Sequence, residues 1–449
     1  MSPEMPPVTR DLARFVIGLR YADLRPELTA MARSCLIDWL GIAIAGSRQP
    51  LAPILETVVD QLGGHSQATV VGTGRRTSTA QAALLNATFA HSLDYDDVHH
   101  RSGVHASAPV WAAALAIAEW RGLSAQAAMV AFVAGYEVMA RIGRTVGMPM
   151  IQAHHHPTGV LGYYGAATAA GRLLDLDEEG LARAYGIAAG QAGALIQVRG
   201  TMSKPFFAGH AAHGGVLSAL MAAAGFESVT DAIEGPEGVV ATFGQAGAAD
   251  RILRDLGERW ELLTNSFKAY AACAMTHPML DGLLEIREEV DLDPAEIEEI
   301  RVGLYPYATE YVNRREVQTG LAGKFSAQYC AAVAVLDGQA QEPQFTDARA
   351  ADPELARLMD RVRLVPVETY PMTESEVEVR LRDGRVVSRH VATVTGSPSK
   401  PLRWEDLSVK FRGLAQLALP PDRVLDLLER LDRWPEVEIP ELLALAEAG

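Results

Sequence analysis

The feature that most restricts the fold of this chain is a succession of alanine-rich segments whose apolar residues recur at helical spacing. Residues three and four positions apart share one face of a helix, so each segment presents an apolar stripe to its neighbours. Aromatic residues make up only 6% of the chain, and abundant small residues favour closely packed helices. We therefore predict a helical core domain. Its helices are expected at residues 27–46, 78–93, 110–120, 124–143, 159–174, 178–195 and 209–225.

The pattern changes after about Leu263, where strand-like alternation begins. Residues 300–305 alternate in polarity, and residues 375–394 are typical of a hairpin with an Asp-Gly turn. A chain of 449 residues also exceeds what one core usually supports. The sequence predicts a mostly α protein with two domains. These are a large helical domain from both chain ends, residues 1–262 and 397–449, and a smaller α+β domain, residues 263–396.

The formal charge of −16 argues against nucleic-acid binding and against attraction to anionic membrane surfaces. An anionic substrate would then need a local positive pocket, which directs attention to the lysines among apolar residues. Three cysteines without CxxC spacing indicate neither a disulfide framework nor a structural zinc site. They are Cys35, Cys273 and Cys330.

The N-terminal residues lack a signal-peptide pattern, and every apolar run is interrupted by glycine, charge or polar residues before it reaches membrane-spanning length. We therefore expect a soluble protein that is located in the cytoplasm and has no membrane partner.

Residues 91–107, HSLDYDDVHHRSGVHAS, combine three aspartates and four histidines between apolar helices. Helix capping and loop solvation are the ordinary explanation for any single aspartate here. Metal binding is the alternative for the whole cluster, since carboxylate and imidazole suit zinc, iron or manganese. The spacing matches neither HExxH nor an EF-hand loop, and no histidine directly precedes an aspartate as a His-Asp phosphohydrolase would require. We predict no metal site.

Two further signals lie in apolar surroundings downstream. His156 directly precedes Pro-Thr-Gly at the start of a predicted helix, whose N-terminus attracts anions. His105 and His156 together would suffice for acid-base chemistry near neutral pH. Lys204 and Lys268 are either surface lysines or carboxylate anchors, depending on whether they converge with the histidines.

At these residues the chain resembles the MmgE/PrpD family, which includes dehydratases, decarboxylases and epimerases of carboxylates. The resemblance covers essentially the whole chain. Its blocks are HSLDYDD, GYEVMARIG, HPTGVLGYYGAATAA, TMSKPFFAGHAAHGGVLSALMAAAGF, FKAYAAC and KFSAQY. It implies a helical domain with an α+β lid, a homodimer, and chemistry on di- or tricarboxylates without metal or cofactor. By position it implies these site residues: Asp94, His105, His156, Lys204, Lys268 and Tyr329, with His277 as a further pocket candidate.

The chain departs from the family pattern at Val98, where members often have threonine, at Ala106, where they have proline, and within residues 268–271. These departures bear on substrate identity. The loop between Asp97 and His105 is also about one residue longer than in the decarboxylases.

We hypothesise that Lys204 and Lys268 hold substrate carboxylates while one histidine transfers a proton at the carbon α to a carboxylate. The other histidine would protonate the leaving hydroxyl or the developing carbanion, and Asp94 would orient or tune a histidine. A lyase that dehydrates or decarboxylates is the first interpretation, an epimerase the second, and a non-catalytic metabolite-binding protein a remote third. Four neighbours are interpreted as structural or peripheral: Asp96, Asp97, His99 and His100.

Overall fold

The computed structural model describes residues 7–244, 248–290 and 292–447. Helices dominate the chain up to about residue 262, apart from one short antiparallel pair, β1 (Ala68–Val70) and β2 (Arg75–Thr77). The longer helices are α1 (Val8–Gly18), α2 (Pro26–Gly46), α3 (Leu51–Leu62), α4 (Thr79–Ser92), α5 (Ser107–Arg121), α6 (Ala125–Gln152), α7 (Pro157–Leu173), α8 (Glu178–Ala189) and α9 (Ser203–Ala223), and α10 (Val239–Phe243) and α11 (Asp250–Leu253) are short.

A four-stranded sheet with helices follows. Its strand order is β4-β3-β5-β6, with β3 parallel to β4 and antiparallel to β5, and with β5 antiparallel to β6. The strands are β3 (Ile297–Leu304), β4 (Val362–Pro366), β5 (Ser375–Leu381) and β6 (Val386–Val391). The helices of this part are α12 (His277–Glu289), α13 (Pro306–Val312), α14 (Gly320–Gly323), α15 (Ala327–Asp337), α16 (Asp347–Ala350) and α17 (Pro353–Met359).

The chain then returns to the first part as three helices. They are α18 (Trp404–Ala415), α19 (Pro421–Asp432) and α20 (Ile439–Leu445). Helix α18 packs along α2, where the ring of Phe411 lies against Gly41. One apolar core therefore combines residues from 8–267 with residues from 402–446, and a second core is formed mainly by residues 270–381. The exact domain boundaries stay a prediction.

Close helix packing explains the many small residues. Helix α9 makes its most extensive contacts with α4 and α7. At Gly209 in α9, a Cβ atom would collide with the side chain of Thr88 and with the backbone carbonyl of Leu84. Only glycine lets the two helices approach this closely, so the small residues serve packing.

Helices α2 and α9 are long and apolar enough to cross a membrane by length and composition alone. The structure buries 72% and 61% of their most apolar stretches, respectively. Burial of this extent is typical of helices that run through a protein core.

The predicted mostly α class is confirmed, and so are the predicted strands of β3, β5 and β6. Gly384 adopts a positive φ of 88° between β5 and β6, as the predicted Asp-Gly turn requires. The prediction of helix over residues 178–195 was too long, because α8 ends at Ala189 before a glycine-containing loop. The three cysteines are buried free thiols.

Candidate active site

A pocket lies between the helical first part of the chain and the α+β part, and residues of both parts line it. The first part contributes Asp94, Val98, His100, Gly103, His105, Met148, Ile151, His156, Pro157, Ile196 and Lys204; the second contributes Lys268, Cys273, Ala274, Met275, Tyr307, Tyr311, Phe325 and Met372. Five of the seven predicted site residues therefore converge, although they are spread over 175 positions of the sequence, from 94 to 268.

Asp94 connects the two pocket lysines. It follows α4 in a left-handed conformation with φ 51°. Lys204 donates to one of its carboxylate oxygens, and Lys268 Nζ lies 3.2 Å from the other. Burial favours a neutral carboxyl, but the charges of Lys204 and Lys268 outweigh it and hold the pKa of Asp94 well below its usual value. The hypothesis that Asp94 orients a histidine therefore needs correction, because its carboxylate pairs with lysines.

His105 is held by its backbone and by one ring nitrogen. The backbone N–H of His105 donates to Thr158 Oγ1 at 2.9 Å, and the ring Nδ1 lies 2.8 Å from the carbonyl oxygen of Asp97. Since a carbonyl oxygen only accepts, Nδ1 carries a hydrogen, and in the neutral ring Nε2 is the nitrogen without a proton. Asp96 Oδ2 lies 3.3 Å from the same Nδ1.

Asp96 and His91 belong to the site although the sequence analysis gave them no role there. His91 Nδ1 lies 2.6 Å from Asp96 Oδ2, and the His91 and His105 rings are 4.9 Å apart. Burial lowers the pKa of His91 to about 4. Asp96 therefore contacts both rings, so it is not peripheral, and the alternative interpretation of Asp96 as structural stays a prediction. The density of titratable groups marked the segment, but spacing across a helix end does not reveal which aspartate faces a histidine.

His156 precedes α7, at whose N-terminus the pocket opens. Its ring lies 4.5 Å from that of Phe207 and 6.1 Å from that of His105, and its buried Nδ1 has no hydrogen-bond partner among the described residues. Burial, followed by the charge of Lys204, lowers the pKa of His156 well below its usual value. The ring is therefore neutral near pH 7.

The structure does not bring Tyr329 and His277 to the pocket. Tyr329 donates its hydroxyl to the carbonyl of Gln344 at 2.7 Å, and His277 Nε2 lies 3.1 Å from the carbonyl of Ala272. Both side chains are buried in the α+β part. Their substrate-binding roles stay predictions that this structure does not support.

The pocket is also lined by residues that were not predicted as site residues. Tyr307 and Tyr311 lie one turn apart on α13 and both line the pocket, as does His100. Burial and the nearby His105 lower the pKa of His100 to about 4. Because His100 lines the pocket, it is not peripheral, and its alternative interpretation as structural stays a prediction. The i, i+4 spacing of the two tyrosines was the only sequence signal for them, and core packing produces the same spacing.

Asp97 and His99 are structural, as interpreted. Asp97 accepts from Ser107 at 2.6 Å and from Asn265 at 2.7 Å. His99 bonds through its two ring nitrogens to the hydroxyl groups of Ser102 and Thr264.

One group of side chains has the composition of a metal site. Ligand atoms of His91, Asp96 and His105 all lie within 4.8 Å of one another. The Nδ1 atom of His105 already faces the Asp97 carbonyl, and that of His91 is hydrogen-bonded to Asp96. An ion would have to displace the hydrogens in these contacts, so the group fits a hydrogen-bonded orienting set better than a metal site.

Two domains of one protein family match consecutive parts of the chain. The MmgE/PrpD N-terminal domain matches residues 10–251, and the MmgE/PrpD C-terminal domain matches residues 270–433. The chain belongs to the MmgE/PrpD family. The pocket of this MmgE/PrpD protein lies where the two matched stretches meet.

Curated relatives are similar over almost the full length. The cis-aconitate decarboxylases of Mus musculus and Homo sapiens are each 27% identical to this chain, covering 96% of it and 91% and 92% of their own lengths. A cis-aconitate decarboxylase of Aspergillus terreus is 24% identical, covering 96% of this chain and 94% of its own. The predicted family and the predicted class, a carboxylate lyase, are confirmed.

Proposed function

We propose that this MmgE/PrpD protein decarboxylates cis-aconitate or a tricarboxylate of closely similar shape. The observation that carries the proposal is the convergence of two lysines and two histidines, His105 and His156, on one pocket. The similarity to cis-aconitate decarboxylases supports the choice of substrate.

The charges at the pocket suit a polyanion. Asp94 neutralises one of its two lysine partners, which leaves the group of three with one net positive charge. Arg199 lies 4.5 Å from the centre of the Tyr311 ring, which lines the pocket, and adds a second positive charge nearby. The N-terminus of α7 contributes a further positive potential. A chain with a net charge of −16 thus presents a locally positive site.

The reaction needs a proton donor and stabilisation of the carboxylates. In cis-aconitate, a CH2–COO⁻ arm is attached to a carbon–carbon double bond. When the bond to this carboxylate breaks, CO2 leaves and the electron pair forms a new terminal double bond. The far carbon of the former double bond, which is α to another carboxylate, takes up one proton. The product is a dicarboxylate with a terminal methylene group.

We assign the proton donation to His105, because the Asp96 carboxylate beside it stabilises an imidazolium. His156 is half-buried near the charge of Lys204, stays neutral, and orients a substrate carboxylate by hydrogen bonding. Lys204 and Lys268 stabilise the enediolate-like charge that develops at the remaining carboxylates. Val98 lines the pocket without a hydroxyl group, so that position supplies shape and no hydrogen bond.

Three further features belong to the proposal. The α+β part acts as a lid, which is supported by its contribution of Lys268 and Tyr311 to the pocket wall.

A homodimer is supported by exposed apolar side chains on and beside α9: Met202, Phe206 and Leu217, which are 44%, 37% and 37% exposed. Light scattering with in-line chromatography tests the dimer. A cytoplasmic location stays a prediction.

Proton NMR in deuterated water tests the proposed reaction. With cis-aconitate we expect two terminal methylene proton signals to appear together with a CHD group, at the rate at which CO2 is released. Deuterium uptake without net conversion would show an epimerase or isomerase instead, and release of water from a hydroxy acid without CO2 would show a dehydratase. Either result would contradict the decarboxylase assignment.

A further inference from the structure

Three buried lysines donate to three consecutive peptide carbonyls at the centre of the site. Lys324 Nζ donates to Leu93 O, Lys268 Nζ to Asp94 O at 2.7 Å, and Lys410 Nζ to Tyr95 O at 2.8 Å. The three side chains are only 3%, 2% and 5% exposed. Lys324 lies at the end of α14, Lys268 in a loop and Lys410 in α18. Separate parts of the chain therefore converge on one turn.

Each lysine has a carboxylate partner, which Lys268 shares with Lys204. Lys324 pairs with Glu342, Lys268 with Asp94, and Lys410 Nζ lies 2.6 Å from Asp38. Each carboxylate compensates the charge of a buried lysine, and the remaining N–H groups of each ammonium donate to the carbonyls.

Lys410 also contacts the backbone of Lys268, one of the two pocket lysines. It donates to the carbonyl oxygen of Lys268 at 3.0 Å, and its ammonium lies 3.8 Å from the centre of the Tyr95 ring. A single ammonium group on α18 thus holds the backbone of Tyr95, next to Asp94, and the backbone of Lys268. Neither Lys324 nor Lys410 lines the pocket.

The turn held by these lysines is strained. Asp94 adopts a left-handed conformation, which aspartate tolerates better than most residues other than glycine but which still costs free energy unless the surroundings hold it. Rotation of this one residue would separate its carboxylate from Lys204 and Lys268 and would displace both cations from the pocket wall.

We infer that Lys324 and Lys410 are positioning residues for the reaction: by fixing the carbonyls on either side of Asp94, they hold its carboxylate where it places Lys204 and Lys268. Their effect on turnover rests on the proposed function. The competing explanation is that each lysine merely completes a buried ion pair that stabilises the fold.

Variants that remove each ion pair as a unit separate the two explanations. Lys410→Met alone would leave Asp38 buried and unpaired, and the protein could fail to fold. The double variant K410M/D38N removes both charges, as K324M/E342Q does for the other pair. A control pair that touches no carbonyl of residues 93–95 is R349M/D337N.

We expect the two double variants to unfold at temperatures near that of the wild type while their kcat/KM for cis-aconitate falls roughly tenfold to a hundredfold, the size of effect that misplaced groups produce. The control pair should keep wild-type kcat/KM. Wild-type kcat/KM in both folded double variants would overturn the inference.

A second measurement does not depend on turnover. The charge of Lys204 lowers the pKa of His156 more than the charge of Asp94 raises it. If the release of Asp94 displaces Lys204 from the pocket wall, the pKa of His156 measured by NMR should therefore rise towards its usual value. An unchanged His156 titration in both folded double variants would overturn the inference. If the wild type converts no tricarboxylate at all, the proposed function fails, and this titration still decides the role of the two lysines.

Discussion

The two histidines of the pocket differ in how their ring nitrogens are held. His105 Nδ1 contacts the Asp97 carbonyl and approaches the Asp96 carboxylate. The buried Nδ1 of His156 has no hydrogen-bond partner among the described residues, and burial together with the charge of Lys204 lowers the pKa of this ring. Two residues of the same type therefore lie in different electrostatic environments.

Loss of either ring should reduce turnover strongly. We expect His105→Gln to lower kcat about 10²- to 10⁴-fold, the usual contribution of a positioned proton-transfer group. His156→Gln should lower kcat about tenfold to a hundredfold, the size of effect that a misoriented substrate produces. His154→Gln is the matched control, because His154 is exposed in the same histidine run. Steady-state kinetics with cis-aconitate checks this prediction, and near-wild-type kcat in both pocket variants would refute their assigned roles.

Removal of the Lys204 charge should change the titration of His156. Burial and Lys204 both lower the pKa of His156, so Lys204→Met should raise it, while burial still keeps it below its ordinary value of about 6.5. NMR of the imidazole Cε1–H signal against pH measures this shift. Lys400→Met, on an exposed lysine, should leave the pKa unchanged. A His156 pKa that stayed constant or fell in Lys204→Met would contradict the electrostatic description.

His277 should affect stability against pH more than substrate binding. Burial lowers its pKa to about 3, whereas the unfolded chain has a value of about 6.5. The unfolded state therefore binds more protons between these values. The stability that the neutral ring provides is complete above pH 6.5 and is lost as pH falls towards 3, by about 1.4 kcal/mol per pH unit.

His277→Gln removes this titration. From pH 7.5 to pH 5, urea unfolding should show the wild type losing about 2 kcal/mol relative to the variant, because other groups titrate alike in both proteins. KM for cis-aconitate should stay near the wild-type value, since His277 lies outside the pocket. A large rise in KM would restore its predicted substrate-binding role.

At the scale of elements, periodicity predicted the helices and strands whose pattern is uniform. Segments 124–143 and 159–174 lie within α6 and α7 except for one residue each, Ser124 and Leu174, and the alternation at 300–305 lies within β3 except for its last residue. The short helix α13, which carries Tyr307 and Tyr311 to the pocket, was not predicted. A helix of two turns has too few residues to show a period, and its conformation depends on tertiary packing.

The contact between α4 and α9 should tolerate no added carbon atom. Gly209→Ala places a methyl group against the backbone of Leu84, and we expect a loss of about 1–3 kcal/mol in the free energy of unfolding. Gly413→Ala, on the exposed side of α18 with open space around it, should instead stabilise by about 0.5–1 kcal/mol. Denaturant unfolding of both variants measures these effects, and equal stabilities would contradict the packing argument.

At the scale of the whole molecule, the chemistry was more predictable than its geometry. Residue types and the family resemblance alone identify five residues that share one pocket: Asp94, His105, His156, Lys204 and Lys268. The sequence could not show that Asp94 faces lysines while Asp96 faces histidines. Those partners lie up to 174 residues apart, and only the tertiary structure places them together.

Lys324 and Lys410 illustrate the same limit. In the sequence, a lysine after a short helix and a lysine within an amphipathic helix are most simply explained as surface charges. Their burial and their carbonyl partners depend on the return of α18 to the first core and on the packing of the α+β part against it. No local pattern encodes such a convergence.

The central claim is that the pocket between the two cores binds a tricarboxylate through Lys204 and Lys268 and presents it to His105. A crystal structure with bound propane-1,2,3-tricarboxylate, which lacks the double bond and cannot react by this route, tests this claim most directly. We predict carboxylate oxygens within hydrogen-bond distance of both lysine Nζ atoms, and a ligand carbon facing His105 Nε2. A ligand bound elsewhere, or one bound in the pocket without contact to either lysine, would contradict it.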